Sequence, residues 1–546
     1  MMFEDWTSGY FMGFALSALA LAVWNAAEKK SIVARNAPFV IFAGLTLYFT
    51  SVVSLQGAPG ERLFIVARDL LTQAAIAYLI RLLSQKPKLL LPVAAAVLLG
   101  YWFLYREIQE ESIQALGYAQ SEQVSSIASL STSQSGNLDP NGELFVTFQD
   151  GGTAEAVRDQ IADLGLSATG AFTDLDSNCP NCDPSVADEL RRTILIDVPD
   201  GREQELETLL ASFEKAEGSY AEQNEILEFE PLKASGPASP NSILVQPPAK
   251  PSDLGLNDPE VVRQWSLVAW PYTAFAKTSS KMSKRLQPAT LFVLDSGVDA
   301  THPDIKANFQ SHDSKHDRDG LGHGTHVAGI AAAVANNKEG IAGWWPKGDH
   351  PLKVSSIRVI GPFGSATQQA VVQGIIDAAN AGASVINLSL GGFSNDAKQR
   401  LYSNAVKYAN DRGTIVVVAA GNSSMDARRY APANTPGVIA VAALDNTLQQ
   451  ASFSNSVDGL EMGVWAPGKD IHSLVPNGGY TPFSGTSMAA PQVAGILTVA
   501  KSIRPEMTTR EAYQMLNRSI QGQAQVSSDR PDVLDPGTFL EEVGRD

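Results

Sequence analysis

The apolar positions of this chain fall into three regimes. Over the first hundred residues they run together in four stretches, about 10–24, 38–55, 63–83 and 89–105. Each holds roughly 15–21 residues, close to the ~20 a helix needs to cross a bilayer. Glu4 and Asp5 precede the first stretch, where a cleavable signal carries Lys or Arg. The pattern predicts four transmembrane helices over 1–106. Arg68 and Asp69 lie inside the third and read as a local pair or a wet end. From 107 to 142 Ser, Gln, Glu and Gly dominate without apolar periodicity, which reads as a linker.

The second regime, 143–230, alternates short strands and helices. Glu143–Phe148 and Thr193–Val198 are apolar and β-branched runs, hence strands. Helices are predicted over Ala154–Leu164 and Glu203–Phe213. A further strand is expected near Ala168–Phe172, and a last one through Tyr220–Asn224 and Ile226–Phe229. This order fits a ferredoxin-like α+β domain. Residues 231–256 hold Pro231, Pro237, Pro240, Pro247, Pro248 and Pro251. They read as an exposed linker and a place where a protease can cut.

The third regime, 257–546, alternates apolar strands with helices. Strands are predicted at Ala289–Leu294, Val354–Val359, Ser384–Leu388, Thr414–Ala419 and Val438–Ala442. Helices are predicted at Gly324–Asn336 and Ser365–Ala381, with another read from the apolar run Val493–Ala500, which places Ser487 at its N-terminus. That alternation predicts an α/β domain in three layers, a parallel sheet between helices. Reactive groups then collect at the carboxyl ends of the strands.

Charge adds an orientation and an exclusion. Lys29, Lys30 and Arg35 lie between the first two spans, and Arg81, Lys86 and Lys88 between the third and fourth. Only Glu61 and Arg62 lie between the second and third. Basic loops stay cytoplasmic, so both termini face outward and everything after 106 is extracytoplasmic, on a bacterial inner membrane. The chain carries 58 acidic and 41 basic residues, a net charge of −17, which excludes a nucleic-acid partner. Cys179 and Cys182 are its two cysteines. No third Cys or nearby His completes a zinc site. A redox CxxC and a small loop disulfide remain, the latter preferred on the oxidising side.

Four predicted strand or helix ends carry chemistry. The first strand of the α/β domain leads into Asp295-Ser-Gly-Val-Asp299, and a helix is preceded by Gly322-His323-Gly324. A third strand end supplies Ala420-Gly421-Asn422. Ser487, in Gly485-Thr-Ser-Met-Ala-Ala-Pro491, sits at a helix N-terminus, where free N–H groups favour developing negative charge. Singly these read as a turn Asp, a helix-start His, a turn Asn and an N-cap Ser. Together they supply a nucleophile, a base, a group to orient the base, and an amide donor for an oxyanion.

Those segments resemble the subtilisin-like serine proteases of the S8 type, in their thermitase-like branch. The motifs are Val293-Leu-Asp-Ser-Gly-Val298 with His302-Pro-Asp304, Gly322-His-Gly-Thr-His-Val-Ala-Gly329, and Gly485–Pro491. The resemblance spans roughly 257–500. It implies Ser487 as nucleophile, His323 as base and then acid, Asp295 as orienting group, and Asn422 with the Ser487 N–H as oxyanion hole. Ser389, Leu390, Gly391 and Gly392 match the edge that pairs with an extended substrate, and Ala420 and Gly421 flank it. A structural calcium ion is implied at Asp258, Asp304 and Asn337, with loop carbonyls. The 143–230 module resembles the family's inhibitory propeptide. Arg428, Arg429 and Tyr430, within the Ser423–Ala433 segment that shapes the primary pocket, leave substrate preference open. The expectation is a membrane-anchored, self-processing zymogen of a serine endopeptidase, with peptides, the bilayer and its own propeptide as partners. A regulatory protease with one dedicated target and a peptide-binding pseudoenzyme are the alternatives.

Overall fold

The computed structural model describes residues 143–148, 161, 166–176, 179–180, 182–198, 219–224, 226–228, 245–346, 348–362, 364–394, 399–521 and 534–545. The four predicted spans, the 107–142 linker, residues 231–244, most of the Ala154–Leu164 helix and the Glu203–Phe213 helix lie outside them. Among the described residues no helix is long and apolar enough to cross a membrane.

The first module is a four-stranded antiparallel sheet. Strands β1 (Glu143–Phe148), β2 (Ser167–Gly170), β3 (Thr193–Asp197) and β4 (Ser219–Gln223) lie in the order β2-β3-β1-β4. That is the ferredoxin-like order the strand succession predicts. Leu144, Val146, Ile194 and Ile196 alternate onto one face with Ile161 and Leu166. Phe145, Leu190 and Leu195 turn the other way and share a core with the next domain. An added helix, Pro184–Arg191, follows the Cys pair. Asp183 caps it by accepting from the Ser185 N–H at 3.0 Å, with Pro184 in its first turn. Cys179 and Cys182 form a disulfide, as preferred.

The last predicted strand of this module is in fact two. Asn224 ends β4: its backbone N–H donates to the Glu143 carbonyl and its Oδ1 accepts from the Gln369 N–H at 2.9 Å. The chain then leaves the sheet as β5 (Ile226–Glu228). Strand β6 is Ala289–Asp295, β7 is Leu352–Arg358 and β8 is Ser365–Thr367. β5 pairs antiparallel with β8, Leu227 opposite Ala366. Residues 365–367 are therefore strand rather than the start of the predicted helix. That helix begins at Gln368, where the Thr367 side chain accepts from the Ala370 N–H.

The second domain is a parallel α/β sheet. β9 is Val385–Leu388, β10 Gly392–Phe393, β11 Ile415–Ala419, β12 Tyr430–Ala431, β13 Val438–Leu444 and β14 Gly463–Pro467. The six-stranded sheet runs β14-β13-β11-β9-β6-β7, every pair parallel. Successive side chains of a strand point to opposite faces, and the two faces are visible as two cores. Leu291, Val293, Val385, Val417 and Val441 pack with the helices His323–Ala332 and Thr486–Ile503. Phe292, Leu294, Ile386, Val418 and Ala442 pack with Gln368–Asn380 and Gln399–Asp411. The predicted three layers are present. All eighteen residues of Thr486–Ile503 are buried, so its N-terminus is held rigidly against the sheet. The predicted Gly324–Asn336 helix stops at Ala332. Beyond it, Asn336 and Lys338 take positive φ and the chain turns into a loop. β14 and the hairpin β15 (Ile471–Val475) with β16 (Gly479–Phe483) were not predicted.

Candidate active site

β6 delivers Asp295, fully buried, to the carboxyl edge of the sheet. The helix His323–Ala332 begins beside it. Its approach is very close. A Cβ on Gly324 would stand 2.1 Å from the Gly297 carbonyl oxygen and 3.1 Å from the Asp295 Cβ, so only glycine fits. His323 Nδ1 thereby lies 2.8 Å from Asp295 Oδ1 and 3.0 Å from Oδ2. The Ser296 N–H also donates to Oδ1, at 2.7 Å. An ionised carboxylate only accepts, so Nδ1 carries the proton and Nε2 is the basic nitrogen.

Asp319, which the motif reading missed, anchors this helix start. Its Oδ1 accepts from the Gly322 N–H at 2.8 Å and from Ser296 Oγ at 2.9 Å. Its Oδ2 accepts from the Thr325 N–H and Oγ at 2.8 and 2.7 Å. An Asp four residues ahead of a helical His was the available signal, as acids favour helix N-termini. One turn on, His326 is fully buried. It stacks on Phe483 at 4.3 Å, and its Nε2 meets the Thr481 carbonyl at 3.0 Å. Burial pushes its pKa down to about 3, so it stays neutral.

Ser487 is the second residue of the buried helix and is itself buried. Its Oγ donates to the Ser389 carbonyl at 3.1 Å, while Ser389 Oγ donates back to the Ser487 carbonyl at 2.9 Å. Asn422 follows β11. Its Oδ1 accepts from the Thr486 N–H at 2.8 Å and from Thr486 Oγ at 3.1 Å. The amide nitrogen is therefore turned away from Thr486. One cavity joins Ser487 and Asn422 with Ser389, Leu390, Gly391, Gly421 and Tyr430. Of the other expected substrate-side residues, Ala420 is buried outside that lining, and Gly392 pairs with Ala431 across β10 and β12. Leu227 of the first module also enters the cavity.

Asp258, Asp304 and Asn337 are brought together elsewhere, at the loop that follows the C-terminus of the His323–Ala332 helix. Asp258 accepts from the Asn336 and Asn337 N–H groups at 2.9 and 3.0 Å. Asp304 accepts from Asn337 Nδ2 at 2.7 Å and the Ile341 N–H at 2.8 Å. Both carboxylates are fully buried. Burial, with the nearby Asp258 and Glu339 charges, pushes Asp304 up to about 7. Among the described residues no group of three or more His, Cys, Asp and Glu is arranged to hold a metal.

A parallel α/β domain with a buried Asp–His pair, and a Ser at a helix start sharing a cavity with an amide donor, has the make-up of a serine peptidase. Comparison with known proteins carries this further. The Subtilase family (Peptidase_S8) matches residues 289–535. Thermitase of Thermoactinomyces vulgaris is 44% identical over 215 residues, 38% of this chain and 73% of thermitase. Subtilisin DY of Bacillus licheniformis is 40% identical over 237 residues, 41% of this chain and 80% of that protein. The thermophilic serine proteinase of Bacillus sp. (strain AK1) is 40% identical over 257 residues, 46% of this chain and 61% of that protein. The chain belongs to the subtilase family, and its α/β domain is that of a subtilisin-like serine endopeptidase.

Proposed function

We propose that this chain is a membrane-tethered serine endopeptidase, made as an inhibited precursor, whose site is Asp295, His323, Ser487 and Asn422. The observation that carries it is the Asp295–His323 pair, with His323 oriented so that Nε2 is basic. In this reading Ser487 Oγ adds to the scissile carbonyl while His323 Nε2 takes its proton. The oxyanion is held by Asn422 Nδ2 and the Ser487 N–H. His323 then returns the proton to the leaving amine, and an acyl-enzyme remains, which water cleaves by the same steps in reverse roles. Asp295 stabilises the imidazolium without taking its proton. An extended peptide lies along Ser389–Gly392, where main-chain hydrogen bonds give affinity whatever its side chains.

The module 143–230 acts as inhibitor of the domain 257–546. Support comes from β5, which already pairs with β8 and brings Leu227 into the cavity that holds Ser487. Cleavage in the linker 231–256 frees the site. The apolar series in 1–106 holds the precursor to a bacterial inner membrane, with the peptidase outside. Asp258, Asp304 and Asn337 would hold a calcium ion, as the resemblance implies. Two fully buried carboxylates have no basic side chain against them among the described residues, and a hard divalent cation takes such oxygens. Bound there, it would neutralise both acids and tie the 336–341 loop to the segments that carry Asp258 and Asp304. The test is Ser487→Ala. Wild type is expected to hydrolyse peptides and to appear shortened, whereas the variant stays inactive and full-length. Hydrolysis by the variant at the wild-type rate overturns the reading.

A further inference from the structure

The disulfide Cys179–Cys182 lies where the first module meets the peptidase domain, and the peptidase chemistry leaves it unused. Its segment joins β2 to the helix Pro184–Arg191, and its described residues form neither strand nor helix. What holds the segment is the other domain. The Ala171 carbonyl accepts from Gln369 Nε2 at 3.1 Å, the Thr173 N–H donates to Gln373 Oε1 at 2.9 Å, and the Asp174 carbonyl accepts from Asn380 Nδ2 at 2.6 Å. The Asp176 N–H donates to the Tyr408 hydroxyl at 2.9 Å, its carbonyl accepts from Arg412 Nη2 at 2.6 Å, and the Asp183 N–H donates to Asp411 Oδ2 at 3.0 Å. In each of these bonds the module supplies backbone and the peptidase domain a side chain. Docking therefore depends on the path of this segment, and the disulfide closes that path across 179–182.

The two sulfurs can be reached, and they are not equivalent. Both cysteines are half-buried, and with Asp183, Pro184, Tyr408 and Arg412 they line a cavity of about 190 Å³. One water needs roughly 10–15 Å³ on that scale, so a small thiol has room. Cys182 Sγ lies 3.3 Å from Arg412 Nη1, whereas Cys179 Sγ lies 3.8 Å from the Asp411 carbonyl oxygen. The Asp183 and Asp411 carboxylates nearby lie 3.7 and 3.0 Å from Lys407 Nζ, which offsets their charge. A guanidinium lowers the pKa of a thiol beside it, and the thiolate of lower pKa leaves faster. Cys182 is therefore the leaving sulfur and Cys179 the one attacked.

We propose that Cys179–Cys182 is a site of thiol–disulfide exchange, and that its reduction by a dithiol undocks the first module and so opens the peptidase site. The second half of this rests on the reading of that module as inhibitor. A thiolate of the reductant bonds to Cys179 Sγ, the Cys179–Cys182 bond breaks, and its electron pair leaves on Cys182 Sγ. The second thiolate of the reductant attacks the first, closes the reductant's own disulfide and releases Cys179. The two cysteine thiolates take up the two protons the reductant gave up, so two electrons have passed to the protein.

The test uses the full-length protein carrying Ser487→Ala, with dithiothreitol as the dithiol. Hydrogen exchange in residues 166–198 is expected to quicken at least about tenfold on reduction, as several docking hydrogen bonds are lost together, while β6 and β11 keep their protection. The double variant Cys179→Ser with Cys182→Ser is expected to exchange fast without dithiothreitol and to ignore it. Glutathione, a monothiol, is expected to be trapped on Cys179, with Cys182 left free for alkylation. Unchanged exchange in the reduced protein or in the double variant overturns the proposal. So does a loss of protection that extends to β6 and β11, which makes the disulfide a structural staple only. Glutathione on Cys182 overturns the direction of attack set by Arg412. In protein with Ser487 intact, reduction is expected to speed fluorophosphonate labelling of Ser487 by at least about tenfold, in step with the exchange. Faster exchange with unchanged labelling overturns the inhibitor reading and leaves the exchange site standing.

Discussion

Gly324→Ala tests the geometry of the site without altering any reacting group. The added methyl would stand 2.1 Å from the Gly297 carbonyl oxygen. A carbon–oxygen contact relaxes at about 3.3 Å, so the helix start must retreat by roughly 1 Å. The opposing atoms include backbone, and the helix is pinned by Asp319 through the Gly322 and Thr325 N–H groups, so the strain falls on the two residues between them, the substituted one and its neighbour. The neighbour is His323, whose Nδ1 lies 2.8 Å from Asp295 Oδ1 in the wild type. A retreat of about 1 Å takes this contact beyond the ~3.2 Å limit of a hydrogen bond. Misplacing a catalytic group by about 1 Å costs on the order of 100-fold in rate, which is about 2.7 kcal/mol of barrier. The assay is kcat/KM on a small peptide, at a temperature where circular dichroism shows both proteins folded. We expect a loss of about 100-fold, with folding retained. Activity within threefold of wild type refutes the claim that this close approach positions His323.

Three further outcomes follow from the structure. Chelation of calcium is expected to lower the Tm of wild type by roughly 5–10 °C, since an ion at 100 times its Kd contributes about 2.7 kcal/mol, and Asp304→Asn should lose that response; an unchanged wild-type Tm contradicts a calcium site. His326 has its pKa lowered from 6.5 to about 3 by burial, so the unfolded chain binds a proton in that window that the folded chain does not. Stability should therefore fall as pH drops from about 6.5 towards 3, by up to about 4 kcal/mol, and Tm measured against pH should fall less steeply for His326→Gln; equal slopes contradict this. Arg412 clamps the first module to the second domain: Nη2 donates to the Asp176 carbonyl, Nη1 reaches Cys182 Sγ at 3.3 Å, and the guanidinium lies 3.6 Å over Tyr408. Arg412→Ala should weaken that docking by about 1.5–3 kcal/mol, read as faster hydrogen exchange in residues 166–198 of the Ser487→Ala protein; unchanged exchange refutes the clamp.

The parallel sheet was legible because both its faces are covered. Runs such as Ile415-Val-Val-Val-Ala419 are apolar throughout, and their predicted ends fall within two residues of those observed. The placement of Asp295, His323 and Ser487 at strand or helix ends was legible because each sits in a glycine-flanked segment. What the pattern hid is tertiary. Ser365–Thr367 continues the polar and apolar rhythm of the helix after it, and only the pairing with β5 makes it a strand. Tyr220 to Phe229 reads as one strand, yet Asn224 divides it by bonding to both domains at once. β14 and the β15–β16 hairpin are short and interrupted by Gly and Pro, so no period stands out. The ring of Tyr430 meets both Gly391 and Gly421, which are far apart in sequence and converge on it only in the fold. Asp319 holds the helix start through backbone N–H groups, which leave no trace in side-chain spacing.

The central claim is that Ser487 is a nucleophile activated by His323. It is tested most directly by treating wild type and His323→Ala with a fluorophosphonate and locating the adduct by peptide mass spectrometry. The account predicts one adduct, on Ser487, formed rapidly in wild type and slowed at least 1,000-fold in His323→Ala, as expected when a base that acts as a unit with its nucleophile is removed. An adduct on another residue, no adduct, or equal labelling of Ser487 in the two proteins would contradict it.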